Sequence, residues 1–197
     1  MKLNPNPKDK HAQYSSLKQA ITLEGHPQIK GYDFEQEFNF QEFLKSYSLT
    51  GFQATHLGQG IEIIKAMCRE KAKIFLSFTS NQVSSGNREI IKYLVKHKKV
   101  DVLVTSAGGV EEDVIKCLKP FVLGNFDVSG RMMFENGVNR TGNIFVPNDR
   151  FAAFDDFMQK FFERIYKMQK ETGKVFCPND FIRELGVEIK DNNSILY

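Results

Sequence analysis

Two short polar loops, each placed between an apolar run and a helical pattern, carry the residues with most scope for chemistry. The first is Thr79-Ser80-Asn81-Gln82-Val83-Ser84-Ser85-Gly86, and the second is Thr105-Ser106-Ala107-Gly108-Gly109. Hydroxyls and helix-start amides in the first loop could hold a phosphate or a ribose. A Ser/Asn helix cap followed by a turn accounts for the same residues. In the second loop two glycines let backbone approach a ligand closely, and an ordinary glycine turn would use the same pair. There is no GxGxxG, so the usual dinucleotide fingerprint is absent. Glu111, Glu112 and Asp113 then start the next helical pattern. Carboxylates in a first turn suit the helix dipole; acids at a strand-end crevice would also draw in a cationic substrate.

The elements that must position these loops are readable from periodicity. Ile74–Phe78 and Val100–Val104 are short apolar runs, the second carrying only Asp101 as a charge. Such runs suit strands covered on both faces, and the helix between them implies a parallel sheet. That helix puts Ile90, Ile91, Leu94 and Val95 on one face, with Arg88, Glu89, Lys92 and Lys96 outside. A third strand is expected at Ile144–Val146, stopped by Pro147. Upstream, Phe40, Phe43, Leu44 and Tyr47 repeat at helical spacing until Thr50 and Gly51. A further helix from near His56 should bury Leu57, Ile61, Ile64 and Met67. Downstream, Phe154, Phe157, Met158, Phe161, Phe162 and Ile165 define a core helix over Ala153–Lys170. A short helix follows Pro178, with Leu185 inward and Gly186 placed to end it.

The fold class is therefore α/β: a Rossmann-like parallel sheet with flanking helices, incomplete without a second chain. The sheet has few legible strands, and after NNSILY no closing element follows to cover its edges. Residues 1–28 read as a polar amino-terminal arm with a short helix possible over His11–Thr22, and residues 29–197 as the domain proper.

Composition narrows the function classes. The chain has 197 residues, 41% hydrophobic content and a formal charge of +3, with a mean hydropathy of −0.37. The excess charge comes from scattered lysines and argues for neither nucleic acid nor a membrane surface. No apolar run approaches the ~20 residues a membrane helix needs, and the start MKLNPNPKDK lacks a signal-peptide core. Cys68, Cys117 and Cys177 are far apart and odd in number, as expected of reduced thiols in a cytoplasmic protein. His11, His26, His56 and His97 have no metal-ligand spacing, so no metal is expected.

The run TSNQVSSGNREIIKYLVKHKKVDVLVTSAGGVEEDVIKCL closely resembles deoxyhypusine synthase. Other segments agree: IKGYDF at Ile29–Phe34, TGFQAT at Thr50–Thr55, NRTGNIFVPN at Asn139–Asn148 and LGVEI at Leu185–Ile189. The resemblance implies an NAD-dependent transferase of hypusine biosynthesis, moving the aminobutyl group of spermidine to a lysine of a translation factor precursor. Carried over residue by residue, Ser80, Asn81, Gln82, Val83 and Ser84 match the first NAD-contacting loop. Ser106, Ala107 and Gly108 match the second, with serine where the family usually has threonine. Glu111 and Glu112 match the acidic pair that faces spermidine, where anions offset the desolvation of a polycation.

Two departures from the family pattern stand out. The link between Lys71 and Lys73 is minimal where many relatives carry an insertion. At the carboxyl end the family's nucleophilic lysine, the histidine lining the spermidine site and the remaining NAD contacts are missing. No catalytic residue is therefore assigned in this chain, which alone should be inactive. The expectation is the amino-terminal chain of a split or processed synthase, partnered by a carboxyl-half chain and further copies in a tetramer-like hetero-oligomer. The alternative is a non-catalytic regulatory or scaffold subunit that pairs with a full-length synthase.

Overall fold

The computed structural model describes residues 23–197, and the boundary between two compact units falls between Glu70 and Lys71. Residues 1–22, where the amino-terminal helix is expected, lie outside the described residues.

The first unit is built around a helical hairpin, α1 (Phe40–Thr50) and α2 (Phe52–Arg69). Asn39 starts α1 by accepting the amides of Gln41 and Glu42 on its side chain. Gly51 makes the corner at φ 93°, a conformation that favours glycine. The two helices touch closely at Gly58, where a Cβ would lie 2.5 Å from the Ser48 amide nitrogen. Tyr32 packs edge-on against Phe38 and Phe43 at centroid distances of 5.8 and 5.7 Å. The second helix begins earlier than expected, and its Leu57 and Ile64 are exposed rather than buried. A hairpin has only one inner face, so part of an apolar stripe stays outside.

In the second unit β1 (Phe75–Phe78) and β2 (Val102–Thr105) form a two-stranded parallel sheet, Phe75 facing Val102 and Phe78 facing Thr105. Asp101 fixes the start of β1, accepting the Ile74 amide at 2.9 Å and pairing with Lys73 at 2.7 Å. Between the strands lie a single turn, α3 (Asn81–Ser84), and α4 (Asn87–Lys96); after β2 comes α5 (Ala107–Leu118). The strands are not covered on both faces as expected: Phe75, Val102 and Val104 are exposed.

The expected third strand forms, in a different sheet. Strands β3 (Val122–Leu123), β4 (Val138–Thr141) and β5 (Ile144–Pro147) make an antiparallel sheet in the order β3-β5-β4, with α6 (Gly130–Glu135) before β4. The tight turn at Gly142, φ 58°, folds β5 back on β4. A run of four apolar residues cannot by itself report which sheet it joins. The parallel sheet therefore holds two strands among the described residues, and the architecture is mixed α/β with a small parallel sheet.

Helix α7 (Asn148–Thr172) and helix α8 (Pro178–Ile189) complete the unit. Its core joins Val114 of α5 to Met158, Phe161 and Ile165 of α7 and Leu185 of α8. Each such side chain, fully buried, stabilises by roughly 1.5–3 kcal/mol. Gly186 does not end α8. It is buried against the carbonyl of Leu196, where a Cβ would collide, so its role is close packing of the last residues. Among the described residues, no helix is long and apolar enough to cross a membrane.

Candidate functional site

Because β1 and β2 are adjacent and parallel, the two loops at their carboxyl ends lie side by side, where open α/β sheets place ligands. The approach is close. A Cβ on Gly108 would stand 3.0 Å from Cβ of Ser80 and 3.3 Å from its Oγ. On Gly109 a Cβ would strike the Thr105 hydroxyl. The two glycines therefore let β2 turn directly into α5 beneath the first loop. No side chain caps the start of α5, and Ser106 and Ala107 are exposed there. Thr105 Oγ1 is buried with no hydrogen-bond partner among the described residues. An uncapped helix start, an unpaired hydroxyl and glycine-lowered walls together suit a ligand bearing phosphate or ribose oxygens.

The first loop divides into an outer and an inner part. Ser80 is half-buried and Asn81 exposed, with Asn81 Nδ2 donating to Oγ1 of Thr141, the last residue of β4, at 3.4 Å. Gln82 accepts Asn87 Nδ2 at 2.6 Å. Val83 and Ser84, by contrast, are buried at 0% and 4% exposure. Their carbonyls, with that of Ser85, receive Lys116 Nζ at 2.8, 3.3 and 3.0 Å. That lysine bolts the end of α3 to α5, and burial pushes its pKa down.

Glu111 and Glu112 diverge, as consecutive residues on a helix must. Glu111 lines a cavity of about 730 Å³ together with Ser106 and Ala107. Glu112 turns toward the first loop and accepts the Ser84 hydroxyl. Burial raises the Glu112 pKa, the Ser84 hydrogen bond opposes that rise, and the Glu111 charge adds to it. The acids also lie deeper in their helix than expected. Since α5 begins at Ala107, no acid stands in its first turn, and the dipole does not account for them.

Three residues outside the expected site hold this arrangement. Asp113 is fully buried and pairs with Arg88 at 2.7 Å, which also donates to the Asp113 carbonyl at 3.1 Å. The same carboxylate accepts Ser194 Oγ at 2.6 Å and the Ile195 amide at 3.0 Å. Arg88, expected on the outer face of its helix, is thus 3% exposed. The sequence does hold a signal. Asp113 falls in the apolar stripe Val110, Val114, Cys117, and Arg88 in the stripe Ile91, Val95, so opposite charges occupy two core-facing positions.

A family model for deoxyhypusine synthase matches residues 42–197. The chain belongs to the deoxyhypusine synthase family. A protein of Methanocaldococcus jannaschii named "probable deoxyhypusine synthase" is 51% identical over 176 residues, covering 86% of this chain and 53% of that one. A Drosophila melanogaster protein of the same name is 41% identical, covering 92% of this chain and 56% of its own length. Among solved structures, that of a deoxyhypusine synthase homologue from Entamoeba histolytica superposes with a TM-score of 0.60 at 30% identity, over 85% of this chain and 59% of that one. The chain thus spans about half the length of the curated relatives it matches. The part it does span includes both loops and the acidic pair.

Proposed function

We propose that this chain is the amino-terminal part of a split or processed deoxyhypusine synthase. It would work with a carboxyl-half chain to transfer the aminobutyl group of spermidine to a lysine of the hypusine-containing translation factor precursor. One observation carries the reading: a chain that matches about half the length of its relatives carries two abutting strand-end segments and, beside them, the Glu111–Glu112 pair. A subunit serving only as a scaffold has no need of that chemistry.

In this reading the cofactor is NAD, which supplies the hydride acceptor when bound. Ser106, Ala107 and Gly108 offer it an open helix start, and Ser80, Asn81 and Gln82 form the opposing wall. Val83 and Ser84 support that wall from inside. Glu111 faces the space beside the second loop and meets the cationic spermidine directly. Glu112 stands behind the first loop and adds negative potential. The nucleophilic lysine belongs to the carboxyl-half chain, and two chains together form one subunit of a tetramer-like assembly.

The test is reconstitution. Transfer from labelled spermidine to the factor precursor is measured with this chain alone, with a carboxyl-half chain, and with a complete synthase. Turnover only with the carboxyl half is expected. Stimulation of a complete synthase without that requirement would make this a regulatory subunit instead.

A further inference from the structure

We propose that Lys116 is a positioning residue for polyamine recognition: with Glu112, four residues earlier on α5, it grips Ser84 from two sides and fixes where that carboxylate stands. This rests on the function proposed above. Positions i and i+4 share one helix face, so both side chains leave α5 toward the first loop. Glu112 accepts the Ser84 hydroxyl, and Lys116 Nζ donates to the Ser84 carbonyl at 3.3 Å. Ser84 is 4% exposed and is the last residue of α3. The same ammonium reaches the carbonyls of Val83 at 2.8 Å and Ser85 at 3.0 Å. Three converging carbonyls need three N–H groups from one point, which an ammonium offers and a planar guanidinium does not.

A cation beside a site for a polycation would ordinarily repel its ligand. Here all three N–H groups of Lys116 are turned onto main-chain oxygens, and Phe121 stands over the ammonium with its ring centroid 6.0 Å away. The charge is thus directed inward, where it acts on Glu112 rather than on the ligand. Glu112 needs that support. Burial raises its pKa, the Ser84 hydroxyl opposes the rise, Glu111 adds to it, and Lys116 opposes it again. The other charged groups around Lys116 are Glu89 and the Arg88–Asp113 pair, whose two charges offset each other. A protonated Glu112 has no charge with which to attract a polyamine, so the lysine favours the ionised state that a polycation requires. Lys116 acts through Ser84 and Glu112, without meeting the ligand itself.

Spermidine affinity of the natively purified protein is measured by calorimetry across pH for wild type, Lys116→Met, Glu112→Gln and the two combined. Lys116→Met should weaken binding about tenfold at neutral pH, with the loss shrinking as pH rises and Glu112 ionises again. In the combined variant the loss should stay within about twofold of that in Glu112→Gln alone, because Lys116 then has no carboxylate to hold. Lys116→Arg keeps the charge without the three-carbonyl grip. Its pH profile should follow wild type, while the α3 amides exchange with solvent faster. A loss in Lys116→Met that is independent of pH and adds to that of Glu112→Gln would overturn the proposal, since a lysine with only a structural role behaves in that way. Unchanged α3 exchange in Lys116→Arg would overturn it as well. If the wild-type protein binds no spermidine at any pH, the function proposed above fails and takes this inference with it.

Discussion

Ser194 donates its hydroxyl to the Asp113 carboxylate at 2.6 Å, joining residues eighty-one positions apart in a site where neither is exposed. Arg88 meets the same carboxylate from α4. The helix bearing Glu111 and Glu112 is thereby fixed both to the helix following the first loop and to the stretch Ser194–Leu196. The helix that carries the acidic pair is thus held in place by a buried ion pair next to that pair in sequence.

Removing one partner should be costly. Asp113→Ala leaves the Arg88 guanidinium buried and unpaired, a loss of about 3–5 kcal/mol. Arg88→Met combined with Asp113→Leu should lose less than the sum of the single changes, because no charge is then stranded. Denaturant unfolding of Asp113→Ala, of the two single changes and of their combination measures this, and additive losses would show that the pair is not coupled.

Charge at the acidic pair should appear as a pH dependence. Burial holds the Glu112 pKa above that of an unfolded-chain glutamate. Spermidine affinity of the assembled enzyme should therefore rise as pH increases through that raised range, and Glu112→Gln should flatten the rise. The same shift has the opposite sign for folding. The folded state holds the proton more tightly, so Glu112 contributes stability at acid pH that is lost as pH rises through its folded pKa. Glu111→Gln should weaken spermidine binding by about tenfold at neutral pH, the equivalent of one charged contact. Calorimetry across pH checks both, and an unchanged profile in Glu112→Gln would remove that residue from the polyamine's field.

The two loops proposed to hold NAD should fail in different ways. Ser106→Val deletes an exposed hydroxyl and should cost NAD binding about 0.5–1.5 kcal/mol. Gly108→Val drives bulk into Ser80, already 3.0 Å from the first added carbon, and should separate the two loops. Its NAD affinity should fall further than that of Ser106→Val. Equal affinity in both variants would mean that the abutment of the loops is irrelevant to binding.

The cysteines give a check on the packing itself. Burial, with Asp113 nearby, pushes the Cys117 thiol up to about 11, whereas Cys68 and Cys177 are exposed. A thiol reagent at neutral pH should modify the two exposed residues and spare Cys117 until the protein unfolds. Rapid modification at Cys117 would contradict the buried Arg88–Asp113 cluster.

The sequence makes the loops legible because a polar segment between an apolar run and a helix needs few long-range facts to interpret. Ser80 follows β1 as that pattern predicts, whereas Gly108 lies in the first turn of α5 and not in the expected glycine loop, because the helix starts at Ala107 and only Ser106 separates it from β2, which ends at Thr105. Their contact across the two loops depends on parallel pairing in register, which a pair of short runs implies only weakly. Ile144–Val146 shows the limit: its strand is legible, yet its partners are β3 and β4, chosen by a turn at Gly142 and by tertiary packing. Arg88 misleads for the opposite reason. Charge predicts exposure unless a partner is in place, and that partner lies twenty-five positions away in Asp113. Gly186 reads as a helix stop because glycine often is one; here the demand is room for the Leu196 carbonyl.

The central claim is that this chain completes a catalytic assembly with a second one. Mass spectrometry of the natively purified protein, under native and then denaturing conditions, tests it most directly. The account predicts a tetramer-like particle in which the 22.6 kDa chain and a carboxyl-half synthase chain occur in equal numbers. A lone 22.6 kDa species, or one bound to a full-length synthase, would contradict it.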